Sequence, residues 1–498
     1  MKQFITKHSK LIFLLFCLLI SFLCLSICSK NSYLYPFNNW PDENVFFTVG
    51  KAWTKGLIPY KDLFEQKGPF LFLIFALGSI ITPHSFLSIF IFEVISLTIC
   101  LYFTSKIISL FLPTKYSYLI LPVFTSILVS STYFVHGGSA EEFCFPLIAY
   151  TTYTLLKYFT KENQITNRSL FLNGFIAGLI FMIKFNLLGF WFAFMCFTFI
   201  YLLTRKEIKK AFISCFIFVA GMIIPFATFS IYFLLVGGFK DFIDTYFIFN
   251  ITGYTNAMGL STRIRWLIDT IYSKISSNFW LFNLLDVGLL YFFFSKKLIK
   301  NFQGRLALIM EIALGTIGIF CGGQDFTYYF LPVMYFTIFG FIAFFSYFDN
   351  IIAYPKLKLF IVIILILGLS LRSLSKSNNL SYMSNSKDNL VQYRFAELIN
   401  QEENSTLLNY HFLDSGFYFA SDILPTTKYF HQLNAIIPNM EETLTNDINN
   451  KKYDFIVTRS YKGYDPTTEA LLENYTLIST QKETFEGTKF TYYLYHKK

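Results

Sequence analysis

Residues 36–69 read PFNNWPDENVFFTVGKAWTKGLIPYKDLFEQKGP, and the chain continues without a break into the apolar run FLFLIFALGSIIT over 70–82. Whether that second part crosses a membrane decides the side of every later loop. The first part packs acids, bases, aromatics and turn residues more densely than any other segment. A polar loop between two apolar segments has little packing to do, so its composition predicts chemistry. It reads as an active-site loop that opens on Asp42 and Glu43 and closes on the turn Lys67-Gly68-Pro69.

Working outward, 54% of the 498 residues are hydrophobic and only 14% charged, with 64 Phe and 33 Tyr. Soluble globular chains do not have this composition, so the chain reads as a polytopic membrane protein. The net charge of +10 sits in short clusters between apolar runs, where lysine and arginine orient spans in a bilayer. Membrane lipids are therefore expected as partners, and nucleic acid is excluded. The apolar stretch 11–29 follows a basic start, Lys2, Lys7 and Lys10, and no small-residue cleavage pattern comes after it. It is expected to be a retained first helix. The eight cysteines lie in or beside apolar segments without metal-ligand spacing, so neither a disulfide framework nor a cysteine metal site is expected.

Runs of spanning length fall at 11–29, 86–104, 117–134, 142–156, 170–184, 187–204, 211–236, 279–295, 306–321, 327–346 and 359–373. With 69–82 lying along the outer interface, the inner loops hold 18 Lys and Arg in 63 residues and the outer loops 9 in 92. Counting 69–82 as a span would put RKEIKK (205–210) and KKLIK (296–300) outside, against the positive-inside rule. The expected fold is an all-α polytopic membrane bundle of about eleven transmembrane helices over residues 1–373, carrying the outer loop 30–67. The N-terminus is expected in the cytoplasm of a cell-membrane protein and residues 374–498 outside. That tail is polar, with strand-like runs at Leu407–Phe412, Tyr453–Thr458, Tyr475–Ser479 and Phe490–Tyr495 and a helix around Glu441–Asn449. It reads as a small extracytoplasmic α/β domain.

Asp42 and Glu43 have a local explanation: Asn39 caps a short helix whose first turn, Pro41, Asp42 and Glu43, suits the free amides and the dipole. They also have a chemical one, since a carboxylate fixed at the membrane boundary can take a proton from a hydroxyl. Glu141 and Glu142 follow Gly137-Gly138-Ser139-Ala140 at the outer end of a span. They either mark the water boundary or converge with Asp42 on one outer cavity, as group transfer or a divalent cation (Mg or Mn) would require. The cations Lys51, Lys55, Lys61, Lys67, Lys184, Arg263 and Arg265 either contact a phosphate or bind lipid headgroups. Lys67 is favoured for its fixed turn. Tyr60 and Asp62, in the same motif, are counted with Lys67, Lys184, Arg263 and Arg265 as substrate-binding candidates. Glu93, Asp286 and Glu311 lie inside apolar runs, where acids either mark a transport path or are satisfied by hydrogen bonds between helices.

GLIPYKDLFEQKGP (56–69) after a first span and an acidic pair, then GGSAEE (137–142), resembles the bacterial GT-C superfamily. These are membrane glycosyltransferases that use polyprenyl-phosphate sugars, of the protein mannosyltransferase and aminoarabinose transferase type. The specific motifs are confined to residues 40–70 and 136–145, within a span arrangement that matches throughout. The resemblance implies that Asp42 is the catalytic base with Glu43 beside it, that Glu141 or Glu142 supplies a second acidic contact, and that Lys67 borders the donor pocket. It implies an inverting transfer to a glycan or glycopolymer of the cell envelope, such as a teichoic acid or surface polysaccharide, on the outer face. The late loop GGQDFTYYFLP (322–332) departs from the family pattern, with Tyr328 where the histidine of a His-Tyr pair would stand. A transporter or flippase of lipid-linked sugars, favoured by the three intramembrane acids, and a polysaccharide polymerase or ligase remain as alternatives. Apart from the divalent cation left open above, no cofactor is expected.

Overall fold

An apolar segment in lipid has no water to satisfy its backbone, so it closes its hydrogen bonds internally as helix. Each of the eleven apolar runs does so in the computed structural model, which describes residues 9–161, 165–255, 258–348 and 355–498. Lys2 and Lys7 of the basic start lie outside the described residues. Among the described residues, six helical segments are long and apolar enough to cross a membrane: Ser9–Cys28, Leu87–Phe111, Phe185–Thr204, Ile208–Leu235, Phe302–Phe320 and Thr327–Tyr347. A seventh is formed if Leu260–Ser277 and Phe279–Phe294, bent by 109° against each other, count as one span. The runs at 117–134, 142–156 and 170–184 are shorter as helices, Ser117–Ser130, Phe145–Thr160 and Asn167–Phe181. The run after Lys67 forms the 13-residue helix Pro69–Ile81. The chain is a mostly helical, multi-pass membrane protein.

The described chain divides into two compact units. One comprises 1–32, 90–228 and 257–381; the other comprises 33–89, 229–256 and 382–498.

In the first unit the helices approach through small residues. On Asn167–Phe181 a Cβ at Gly174 would stand 1.9 Å from the Phe218 carbonyl oxygen, and one at Gly178 2.4 Å from that of Met222. The Gly-x-x-x-Gly spacing thus lets two backbones touch where lipid supplies no hydrophobic drive to bring helices together. Gly174→Leu is expected to lower the thermal midpoint of the detergent-solubilised protein by the equivalent of about 1–3 kcal/mol of overpacking. Gly368→Leu is the matched control, since a Cβ there meets nothing within 4 Å. Equal midpoints for the two variants would overturn the packing argument.

The second unit is built on a four-stranded sheet. β1 (Leu407–Tyr410) runs parallel to β2 (Phe455–Ser460), and the crossover that a parallel pair demands carries the helix Met440–Asn449. β3 (Tyr475–Phe485) and β4 (Thr488–Lys497) form a hairpin, and β4 pairs antiparallel to β2, giving the order β1-β2-β4-β3. The hairpin turns on Glu486 and Gly487, with φ of 48° and 75°, the left-handed pair that a two-residue turn uses. The strands and the helix fall close to the positions read from the sequence. β3 runs six residues further than predicted, to Phe485, because the added stretch TQKETF is largely polar and buries no residue fully, so it carries no apolar signal.

Leu408, Leu444, Ile448, Tyr453, Ile456 and Tyr475 form the core, and Phe64 and Phe249 join it from other segments. Phe64 N–H also donates to the Lys428 carbonyl at 2.9 Å. The loop expected to have little packing is therefore a packed part of this unit. Its helix Pro41–Thr54 buries Glu43 through Gly50 and lies so near Pro69–Ile81 that a Cβ at Gly50 would be 2.6 Å from the Ala76 nitrogen.

Candidate active site

In the second unit Asp42 stands half-buried in the first turn of Pro41–Thr54, directly after Pro41 at the first helical position. The cap is Trp40, with no side-chain cap bond, rather than Asn39. The chain entry is fixed instead by two asparagines: Asn38 Oδ1 accepts from Trp40 N–H at 3.0 Å, and the Asn44 amide donates to the carbonyls of Asn38 (2.9 Å) and Trp40 (2.8 Å). Asn39 turns away and donates to Glu483 Oε1 at 3.1 Å. The amides and dipole of a helix start favour a negative charge where Asp42 sits. Glu43, one residue on, is completely buried.

The rest of the motif builds and charges this platform. Tyr60, fully buried at a left-handed φ of 70°, donates its hydroxyl to the Lys67 carbonyl at 2.7 Å. Asp62 Oδ2 accepts from Ile58 N–H at 2.6 Å. Both side chains shape the loop that carries Lys67. The Lys67 ammonium lies 5.9 Å from the centre of the Phe46 ring. Burial alone would raise the Glu65 carboxyl, but His431, with Nε2 3.3 Å away, and Lys67 outweigh it and hold it below the usual range. Of the other lysines, Lys51 pairs with Asp422, Lys61 donates to the Val236 carbonyl at 3.3 Å, and Lys55 is exposed.

Asp414, which sequence reading did not single out, ties the helix to the sheet region. Its carboxylate accepts from Thr48 Oγ1, Asn409 Nδ2 and Gly416 N–H, each at 2.9 Å. Burial nevertheless pushes its pKa above the ordinary carboxylate value, against the pull of those donors. A carboxyl with a raised folded pKa adds stability below its unfolded pKa and loses it as pH rises through the folded value. Asp414→Asn keeps an acceptor and cannot ionise. It is expected to fold and to flatten that loss, as followed by unfolding of the solubilised protein between about pH 4 and pH 8. Asp414→Ala, which orphans buried donors, should cost about 1–3 kcal/mol across the range. An Asp414→Asn variant as pH-sensitive as wild type would sink the assignment.

The second acidic pair lies in the first unit. Gly137 and Gly138 have φ of 94° and 77°, and a Cβ on Gly137 would stand 2.2 Å from Ser29 Oγ. This turn aims Gly138 N–H at two carboxylates, Glu93 Oε1 (2.5 Å) and Glu142 Oε2 (3.0 Å). Ser29 Oγ donates to Glu93 Oε2 at 2.8 Å. Ser139 caps the short helix Ala140–Phe143 by accepting from Glu142 N–H. Glu141 and Glu142 are 1% and 2% exposed. Glu141 is ion-paired with Lys184, whose ammonium lies 3.3 Å from the centre of the Tyr329 ring and 5.7 Å from that of Tyr328. The tyrosine found where a histidine was expected thus helps to surround this lysine.

The intramembrane acids have three different surroundings. Glu93 holds the Gly137-Gly138 turn, Glu311 accepts from Thr152 Oγ1 at 2.9 Å in full burial, and Asp286 is exposed on its helix. Arg263 donates to the Cys321 carbonyl at 2.5 Å, and Arg265 on the same helix is exposed. Among the described residues, no group of three or more His, Cys, Asp or Glu side chains is placed to hold a metal ion. The carboxylate of Glu141 is taken by Lys184. Glu65, His431 and Asp414 are the members that sequence reading did not single out. Glu65 stood inside the quoted motif, whereas nothing local marks the other partners.

Similar architectures occur among solved structures. ArnT from Cupriavidus metallidurans in the apo state matches at a TM-score of 0.56 and 10% identity, over 98% of each chain. The same protein bound to undecaprenyl phosphate matches at 0.57 and 10%, again over 98% of each chain. The Archaeoglobus fulgidus oligosaccharyltransferase in the apo form matches at 0.53 and 12% identity, over 91% of this chain and 70% of that one. No protein-family model matches the chain, and no curated protein does either. The chain shares its overall fold with ArnT and with this oligosaccharyltransferase.

Proposed function

We propose that this protein is an inverting glycosyltransferase that moves a sugar from a polyprenyl-phosphate carrier to a cell-envelope glycopolymer, such as a teichoic acid or surface polysaccharide. The observation that carries the reading is Asp42: a half-buried carboxylate at a rigid helix start, in a chain whose fold matches ArnT bound to undecaprenyl phosphate. The reading keeps eleven spans, a cytoplasmic N-terminus and transfer on the outer face, supported by the distribution of lysine and arginine.

Asp42 takes the proton of the acceptor hydroxyl as that oxygen bonds to the anomeric carbon from the side opposite the carrier. The bond to the carrier phosphate breaks, its electron pair leaves on the phosphate oxygen, and the proton stays on Asp42. Because the phosphate departs as a stabilised anion, no acid has to protonate it. Lys67, its turn held by Tyr60, is the candidate cation for that charge. Glu142 is the candidate second acidic contact. Glu141, neutralised by Lys184, holds that lysine in place.

The test supplies membranes containing wild-type or Asp42→Asn protein with a labelled polyprenyl-phosphate sugar and follows label into polymer. Transfer by wild type and its loss in the variant is the expected result. Equal transfer removes the catalytic assignment, and absence of transfer by wild type shifts weight to a transporter of lipid-linked sugars.

A further inference from the structure

The second unit carries a depression of about 420 Å³ that no step above uses. One rim is a two-residue hairpin turn: Tyr461 and Tyr464 exchange backbone hydrogen bonds of 3.1 and 2.9 Å across Lys462 and Gly463, whose φ of 48° and 83° are those of a type I′ turn. The turn presents both tyrosines, 41% and 45% exposed, with ring centres 5.8 Å apart.

Beside them Arg459 is stacked rather than paired. Its guanidinium carbon lies 4.5 Å from the centre of the Phe490 ring and 5.3 Å from that of Phe412, and among the described residues it forms no ion pair. The acid in the lining, Glu441, has its own partner in His411, 3.3 Å away. Burial lowers the His411 pKa against the pull of Glu441, which favours the uncharged ring. The exposed amide of Asn434 completes a wall of polar groups.

A pair of aromatic faces suits the C–H faces of pyranose rings, as it suits any flat, amphipathic ligand. Amide, imidazole and carboxylate groups suit hydroxyls. A guanidinium held by stacking and left without a counter-ion suits a carboxylate or phosphate. The volume lies within the range of small-ligand sites. We propose that this depression binds a glycan bearing carboxylate or phosphate groups, with Arg459 taking the anion and Tyr461 and Tyr464 the sugar faces. The assignment of that glycan as the acceptor polymer rests on the transferase reading; the site itself does not.

The test uses the full-length protein in zwitterionic nanodiscs and three oligosaccharides of similar length: a glycerol-phosphate oligomer, oligogalacturonate and neutral maltohexaose. The expected result is tighter binding of one anionic oligomer than of the neutral one by roughly tenfold, lost in Arg459→Gln. The anionic oligomer that wins identifies the group as phosphate or carboxylate. Tyr464→Ala, at an exposed position, should weaken binding about tenfold without loss of thermal stability, and keeps the proposal testable if Arg459→Gln misfolds. Equal affinity for neutral and anionic oligomers, or unchanged affinity in Tyr464→Ala, overturns it. Asp42→Asn separates the two readings. Glycan binding with transfer independent of Asp42 leaves the site standing and removes the catalytic assignment. Asp42-dependent transfer that is unaltered in both pocket variants, with unaltered binding, does the reverse.

Discussion

Asparagine in place of Asp42 is expected to lower sugar transfer by roughly 10²–10⁴-fold, the usual worth of a positioned general base. The loss should appear without unfolding. The side chain is half-buried at a helix start whose backbone is held by Asn38 and Asn44, and asparagine has nearly the same shape. Thermal midpoints of wild type and variant should therefore agree while the transfer of label differs. Asp42→Glu, which keeps the carboxylate but moves it by one methylene, should fall between them. Glu43→Gln serves as a contrast, because Glu43 is completely buried and reports on the packing of the helix. Activity retained by Asp42→Asn at the wild-type level would assign the proton transfer to another group.

Replacing Lys184 by Met is expected to destabilise the protein by about 3–5 kcal/mol, the cost of leaving one charge of a buried pair behind. Glu141 is 1% exposed, so its carboxylate has no water to turn to when the ammonium is gone. The aromatic setting adds to the effect, since a cation over the Tyr329 ring contributes about 0.5–2 kcal/mol more. Lys184→Met combined with Glu141→Gln should regain much of the loss, because the double substitution removes both charges. Folded yield and thermal midpoint in detergent measure both. A single variant as stable as wild type, or a double variant no better than the single, would show that the pair does not hold this part of the bundle together.

The helices of this protein were legible from the sequence because lipid leaves an apolar run only one way to satisfy its backbone. The strands of the C-terminal region were legible from their length and β-branched or aromatic content, and Phe490 to Tyr495 lies wholly inside β4. The acidic pairs were found as well, but their surroundings were not. Glu141 and Glu142 read as water-boundary residues or site residues with equal force, and nothing local announces Lys184 or Gly138 as their partners. Asp414 and Thr48 are 366 residues apart, and nothing in either neighbourhood announces the bond. The same holds for Glu65 and His431. Asn39 looked like a helix cap because asparagine favours that position, yet the next residue took it while Asn39 found a partner in β3. Glu93, an acid within an apolar helix, is satisfied by hydrogen bonds from Ser29 and Gly138, one of the two readings open from the sequence, but the glycine turn it holds was not legible.

Three stretches of chain, 33–89, 229–256 and 382–498, fold as one body, and this governs how the protein can be recombined. Glu483 on β3 accepts from both Asn39 and Gln392, so the entry to the loop helix and the C-terminal region share a single carboxylate. Grafting a foreign 382–498 onto this chain would strip Thr48 of Asp414, Glu65 of His431, and Phe64 and Phe249 of the core they complete. A working chimera has to move all three stretches together. Lineages that exchange recognition specificity through this region are therefore expected to inherit the loop that carries Asp42 along with it.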